Sequence, residues 1–208
     1  IRLSLDHYSD IENIDVPEGV RERAFRSLLN SRIIIHALRS SLLMAGKSYP
    51  KDLSSLTLDV DFGFPIAETA IGQMGGTSGK ELHEGASKTE KSVLGLVDTL
   101  DDVADSLIET LHPRFWALDL LSASVVRVDG VVMPPVLVMF DEAHKLTPHQ
   151  RTMLFEALWD RALRMPRWVA ERRQALPLKE MIGTKEGNRQ GRYYEVVNLE
   201  DEKESDFK

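Results

Sequence analysis

The residues with most chemical promise are Asp141 and Glu142, two adjacent carboxylates that end the apolar run Val136-Leu137-Val138-Met139-Phe140. Carboxylates of this kind ligate hard cations or move protons. A continuous apolar run bounded by charge is the pattern of a strand buried on both faces of a parallel sheet. Acids at the carboxyl end of such a strand fall where α/β folds bind ligands. Two histidines follow closely. Asp141 with His144 and His149 is a rival reading as a metal-hydrolase set, although the spacing does not make the two-histidine face of a zinc-protease helix. Downstream, Arg151, Arg161, Arg164, Arg167, Arg172 and Arg173 concentrate positive charge. With Glu156 and Asp160 interleaved they read either as a solvated face or as anion-contacting groups. Trp168 among them is expected in the core.

The elements around these residues follow from local signals. Thr147-Pro148 is a helix start, and Leu154, Leu158 and Ala162 continue that helix to about Arg164. Arg167 to Arg172 reads as a short strand ending in charge, Leu176 to Met181 as a short helix and Tyr193 to Leu199 as another strand. Upstream, Ile1 to Asp6 alternates with period two and predicts a strand. Val20 to Ala45 lacks proline and glycine, carries apolar residues at helical spacing and stops at Gly46. His36 lies on that helix among isoleucines and is given no chemistry. Leu56 to Val60 predicts a short strand, Gly72 to Gly85 a glycine-rich mobile loop, and Ser87 to Leu111 a second long helix on a seam of threes and fours. Trp116 to Leu121 is a helical turn and Val125 to Val128 a strand. The Asp129-Gly130 pair predicts a tight return.

Composition narrows the field. The chain has 208 residues and no cysteine, which removes disulfide scaffolds, thiol nucleophiles and thioredoxin-type sites. Its 26 Lys and Arg against 33 Asp and Glu, a formal charge of -7, argue against a protein that coats nucleic acid nonspecifically. The longest apolar run, Val131 to Phe140, holds Pro134 and Pro135 and is far shorter than the roughly 20 residues of a membrane helix. A cytoplasmic protein without membrane contact is expected. Ile1 is not an initiator Met and no signal peptide precedes it, so the chain reads as a fragment.

Strand, acids, helix, strand, helix, strand is a doubly wound α/β pattern. Here the chain resembles the ATPase core of the AAA+ and STAND P-loop families, and within them the origin-recognition-like ATPases of bacteria, over roughly Pro135 to Phe207. The resemblance makes Val136 to Glu142 a Walker B strand. It implies Asp141 as the acid on the Mg²⁺ that bridges ATP phosphates and Glu142 as the base that polarises the attacking water. It implies Arg172, with Arg173 beside it, as sensor or arginine finger. Tyr194 to Leu199 followed by the acidic tail Glu200 to Phe207 looks like the junction to a lid.

No G-x-x-x-x-G-K-[ST] element is present: in Gly75-Gly76-Thr77-Ser78-Gly79-Lys80-Glu81 the first required glycine is Met74, and Glu81 replaces the Ser/Thr. The expectation is therefore a partial doubly wound P-loop core over 1–199, lacking Walker A, with a helical insertion around 18–120 and a truncated lid at 200–208. The fragment itself should hydrolyse ATP poorly, and self-association through the core is possible in such families, with the protein or DNA partner unspecified. Two further readings stand beside it. One is a non-enzymatic helical interaction module with a degenerate nucleotide site. The other is a DEAH-type helicase fragment, from Asp141-Glu142-Ala143-His144 and Arg189-Gln190-Gly191-Arg192, although the intervening stretch of about 45 residues is too short for a second domain.

Overall fold

The computed structural model describes residues 1–60, 76–98, 110–160 and 162–172. The chain divides into two compact units, Ile1–Glu171 and Arg172–Lys208. Every described element belongs to the first; of the second, Arg172 is the described residue. The predicted helix at Leu176 to Met181, the strand at Tyr193 to Leu199, the lid junction and Arg173 lie outside the described residues.

The first unit is mixed α/β. In chain order it contains β1 (Arg2–Ser4), α1 (Glu18–Met44), β2 (Leu56–Val60), α2 (Gly79–Asp98), α3 (Trp116–Ser122), β3 (Ser124–Val128), β4 (Val131–Val132), β5 (Val138–Asp141), α4 (Pro148–Leu158) and β6 (Arg167–Val169). Three parallel strands form one sheet in the order β1-β5-β6, with Leu3 opposite Phe140 and Phe140 opposite Val169. The other sheet is antiparallel, β2-β3-β4. Its hairpin turns at Asp129 and Gly130, both at positive φ (48° and 78°), the backbone that a two-residue return between right-twisted strands demands and that glycine adopts without a Cβ penalty.

α1 is the helix on which both sheets rest. Phe25, Leu28, Leu29, Ile33, Ile34, Leu38 and Leu42 are buried along it, and it packs against β1, α2, α3 and β3. Two of its buried polar residues, Ser27 and Asn30, are bonded to the segment that leads into α3. Ser27 Oγ accepts the His112 backbone N–H at 2.7 Å, while Asn30 donates to the Arg114 carbonyl (2.7 Å) and accepts from the Ala117 N–H (3.1 Å). Burial without partners would cost more than these bonds return.

Four expectations need correction. The helix expected from Ser87 begins at Gly79, so the second half of the supposed glycine-rich loop is helical; Leu111 sits in a bend before α3, and 99–109 lie outside the described residues. The cause is a reciprocal cap: Ser78 Oγ accepts the Glu81 N–H at 3.3 Å, while the Ser78 N–H donates back to Glu81 Oε2 at 3.3 Å. α4 ends at Leu158 rather than near Arg164, because the Arg167 guanidinium folds back to donate to the carbonyls of Leu158, Asp160, Leu163 and Met165. Those bonds satisfy a helix end and the turn after it.

β5 is fully covered on one face only. Val138 and Phe140 are buried, whereas Met139 and Asp141 are half-buried. Trp168, expected in the core, shares the second face with Met139 and is 62% exposed.

Candidate functional site

β1 and β5 run parallel, so their carboxyl ends open on the same rim of the sheet, with Ser4 opposite Asp141. The Leu5 N–H donates to the Asp141 carbonyl at 3.0 Å and extends the ladder by one bond. Both strands then leave through left-handed residues, His7 (φ 65°) and Glu142 (φ 61°). That backbone is costly for a side chain with a Cβ and is kept where surrounding contacts fix it. At Glu142 the contacts are evident. Its N–H donates to Asp141 Oδ1 at 3.0 Å, and the following Ala143 N–H donates to the Ala170 carbonyl at 3.0 Å.

The sequence-predicted pair is therefore brought to the rim, and four neighbours join it: Arg2, Ser4, Asp6 and Lys145. Arg2 Nε donates to Asp141 Oδ2 at 2.8 Å and the same guanidinium closes an ion pair there. Arg2 and Asp141 share a sheet face as diagonal neighbours, a geometry in which opposite charges stabilise. Lys145, in the short 3₁₀ turn after Glu142, donates to Glu142 Oε2 at 2.9 Å and to Asp6 Oδ1. Ser4 Oγ donates to Asp6 Oδ2 at 2.5 Å and lies 3.4 Å from Glu142 Oε2. The side chains of Asp141 and Glu142 are 19% and 20% exposed, partly withdrawn from water yet reachable.

These contacts set the local electrostatics. The Lys145 hydrogen bond, then that from Ser4, pulls the Asp6 carboxyl down to about 2. In return the hydrogen bonds to Asp6 and Glu142 raise the Lys145 ammonium above its ordinary value. Three carboxylates and a hydroxyl lie along this rim, and each carboxylate already accepts from Arg2, Lys145 or Ser4; among the described residues the group whose ligand atoms converge as for a metal ion is a different one, Glu18, Glu22 and His149. Arg2, 74% exposed in its side chain, occupies Asp141 Oδ2.

Asp6 and Lys145 escaped the sequence reading. Asp6 had a signal, as the acid that ends the alternating stretch Ile1 to Asp6, but its meaning depends on β1 lying beside β5.

The other nominated residues are dispersed. His149 does not join Asp141: it sits in the first turn of α4 with Nε2 3.0 Å from Glu22 and 3.9 Å from Glu18 of α1. His144 is on the 3₁₀ turn, half-buried. His36 is half-buried on α1, its imidazole held below the ordinary value by burial first and by Arg39 and Arg32 next. Among the arginines, Arg167 serves the backbone as described, and Arg151 is buried with Nη1 3.8 Å from Glu171. Arg172, exposed, begins the second unit, and Arg161 lies outside the described residues.

The run that imitates a phosphate loop, Gly76 to Lys80, is the capped start of α2, tied to β2 by the Leu58 N–H to the Thr77 carbonyl at 2.9 Å. Glu81 there is held below the ordinary glutamate value by the hydrogen bonds from Ser78.

Comparison with protein-family models, with curated proteins and with solved structures finds no match for this chain. Among the described residues no helix is long and apolar enough to cross a membrane.

Proposed function

We propose that this chain is the Walker B-bearing part of a P-loop ATPase core of the AAA+/STAND type, similar to the origin-recognition-like bacterial ATPases, with its Walker A element supplied by sequence outside Ile1 to Lys208. The observation that carries this reading is the acid pair Asp141-Glu142 at the carboxyl end of the middle strand of an all-parallel sheet. A doubly wound sheet receives its ligand at that end. Asp141 is the acid for Mg²⁺ and Glu142 the acid that orients and deprotonates water. Arg172 and Arg173 are sensor or finger candidates for the γ-phosphate. Nucleotide-driven closure in such a core serves assembly or remodelling of a protein or DNA partner, self-association included, in the cytoplasm.

Before it can orient water, Glu142 must leave Lys145, whose ammonium now occupies its Oε2 at 2.9 Å. Nucleotide phosphates arriving at the rim would compete with the carboxylates for Arg2 and Lys145, and Mg²⁺ would compete with Arg2 and Lys145 for the carboxylates. This ties the chemistry to a local rearrangement.

The test uses the gene product that carries its own P-loop. Glu142→Gln lowers Mg²⁺-dependent ATP turnover by about 10²–10⁴-fold, the contribution of a positioned general base, while nucleotide binding persists. Turnover that survives the substitution overturns the assignment.

A second reading has one observation in its favour: both acids are already neutralised within the chain, Asp141 by Arg2 and Glu142 by Lys145. A helical interaction module with a degenerate nucleotide site would look the same. Absence of nucleotide binding by the same gene product would place that reading first.

A further inference from the structure

His149 is left unused by the carboxylate rim, and its surroundings have a chemistry of their own. Glu18 and Glu22 lie one turn apart on α1 and so present their carboxylates on the same helix face. His149 approaches from the first turn of α4, and one ligand atom from each of the three residues lies within 4.8 Å of the other two. A tetrahedral Zn²⁺ with bonds of about 2.0–2.1 Å separates its ligand atoms by about 3.3 Å. The imidazole Nε2 is 3.0 Å from Glu22 Oε1 and 3.9 Å from Glu18 Oε1, so these two pairs bracket that separation, and side-chain shifts of under about 1 Å bring both to it.

The donors are also positioned from outside the group. Arg26 holds the other oxygen of Glu22, with Nη2 3.0 Å from Oε2, which turns Oε1 toward His149. Arg26 is itself seated over the Phe115 ring at 6.0 Å and against Met153 Sδ at 3.1 Å. Outer partners that orient a ligating carboxylate in this way are a regular part of metal sites. On the other side, His149 is fixed by the capping box of Thr147 and Gln150, and Gln150, fully buried, donates to the Tyr8 carbonyl at 2.9 Å.

We propose that Glu18, Glu22 and His149 form a binding site for a first-row divalent cation, with Zn²⁺ the best match to one imidazole and two carboxylates, and that the bound ion fastens the start of α1 to the start of α4. Three protein donors leave at least one position for water. The site stands apart from the proposed nucleotide chemistry: it shares no residue with Asp141 or Glu142.

The experiment is a calorimetric titration of the metal-stripped chain with Zn²⁺, alongside His149→Ala, Glu22→Gln and Asp141→Asn, each checked for folding by circular dichroism. One Zn²⁺ binds per chain, the first two substitutions each weaken it at least tenfold, and Asp141→Asn leaves it within twofold. Co²⁺ in place of Zn²⁺ gives a visible absorption band that His149→Ala removes. Lack of saturable binding, binding indifferent to both His149→Ala and Glu22→Gln, or binding lost in Asp141→Asn overturns the site. Those outcomes are independent of whether Glu142→Gln affects ATP turnover.

Discussion

Lys145 is the cation that joins Glu142 to Asp6, and its hydrogen bond is the largest cause of the Asp6 carboxyl standing at about 2. An aspartate in the unfolded chain titrates near about 3.9. A depressed folded value means that the ion pair's stabilising effect is complete above about pH 4 and is lost as the pH falls through about 2. The carboxyl carbon of Asp6, followed by ¹³C NMR, is expected to titrate with a midpoint of about 2. Lys145→Met moves that midpoint toward about 3.9. An unsubstituted protein whose Asp6 already titrates at the ordinary aspartate value contradicts the contact. Asp6→Asn should be less stable than the parent at pH 6, with the difference gone near pH 2. The Glu142 partner was legible from its place after an apolar run. The lysine three residues later was not, since nothing in Ala143-His144-Lys145 says that the turn after the strand will bring it back.

Near-neighbour signals define the helices and strands unevenly, and α2 shows why. The glycines at 75, 76 and 79 suggest a loop, yet Ser78 and Glu81 stand at the spacing of a capping box, and the cap decides. Gly79 is there for space: a Cβ would lie 2.6 Å from the Leu53 carbonyl and 3.0 Å from Leu56 Cβ. Gly95, later in the same helix, has nothing within 4 Å of that position. The two glycines therefore predict opposite signs. Gly95→Ala stabilises by about 0.5–1 kcal/mol through helix propensity. Gly79→Ala destabilises by about 1–3 kcal/mol, as over-packing against backbone does. Urea unfolding of both variants checks this, and stabilisation at both positions would mean that α2 does not press on the Leu53 turn. By contrast β2, α1, the Asp129-Gly130 hairpin and the Thr147-Pro148 cap follow from periodicity and end signals that lie within a few residues.

Taken together, the first unit depends on α1 to hold its parts, and the connection to α3 runs through Asn30. Both ends of its buried amide are bonded, to the Arg114 carbonyl and the Ala117 N–H. Asn30→Leu removes both bonds and leaves the buried Ala117 N–H without its acceptor, so a loss of about 1–3 kcal/mol is expected in chemical denaturation. A loss below about 0.5 kcal/mol would show that water or another group replaces the amide.

Residue order settled most of the helices and strands that the structure describes, the Asp129-Gly130 turn, and that Asp141 and Glu142 close an apolar strand. Those features depend on backbone propensity and on apolar spacing within a turn or a pleat, both encoded by near neighbours. Which strand lies beside β5, the meeting of Asp6 with Lys145, and the approach of His149 to Glu18 and Glu22 came only with the packed chain. These pairs are joined across more than a hundred residues, and burial of the apolar faces of α1, β1, β5 and α4 chooses the partners, because local preference cannot specify which distant surface will exclude water from them.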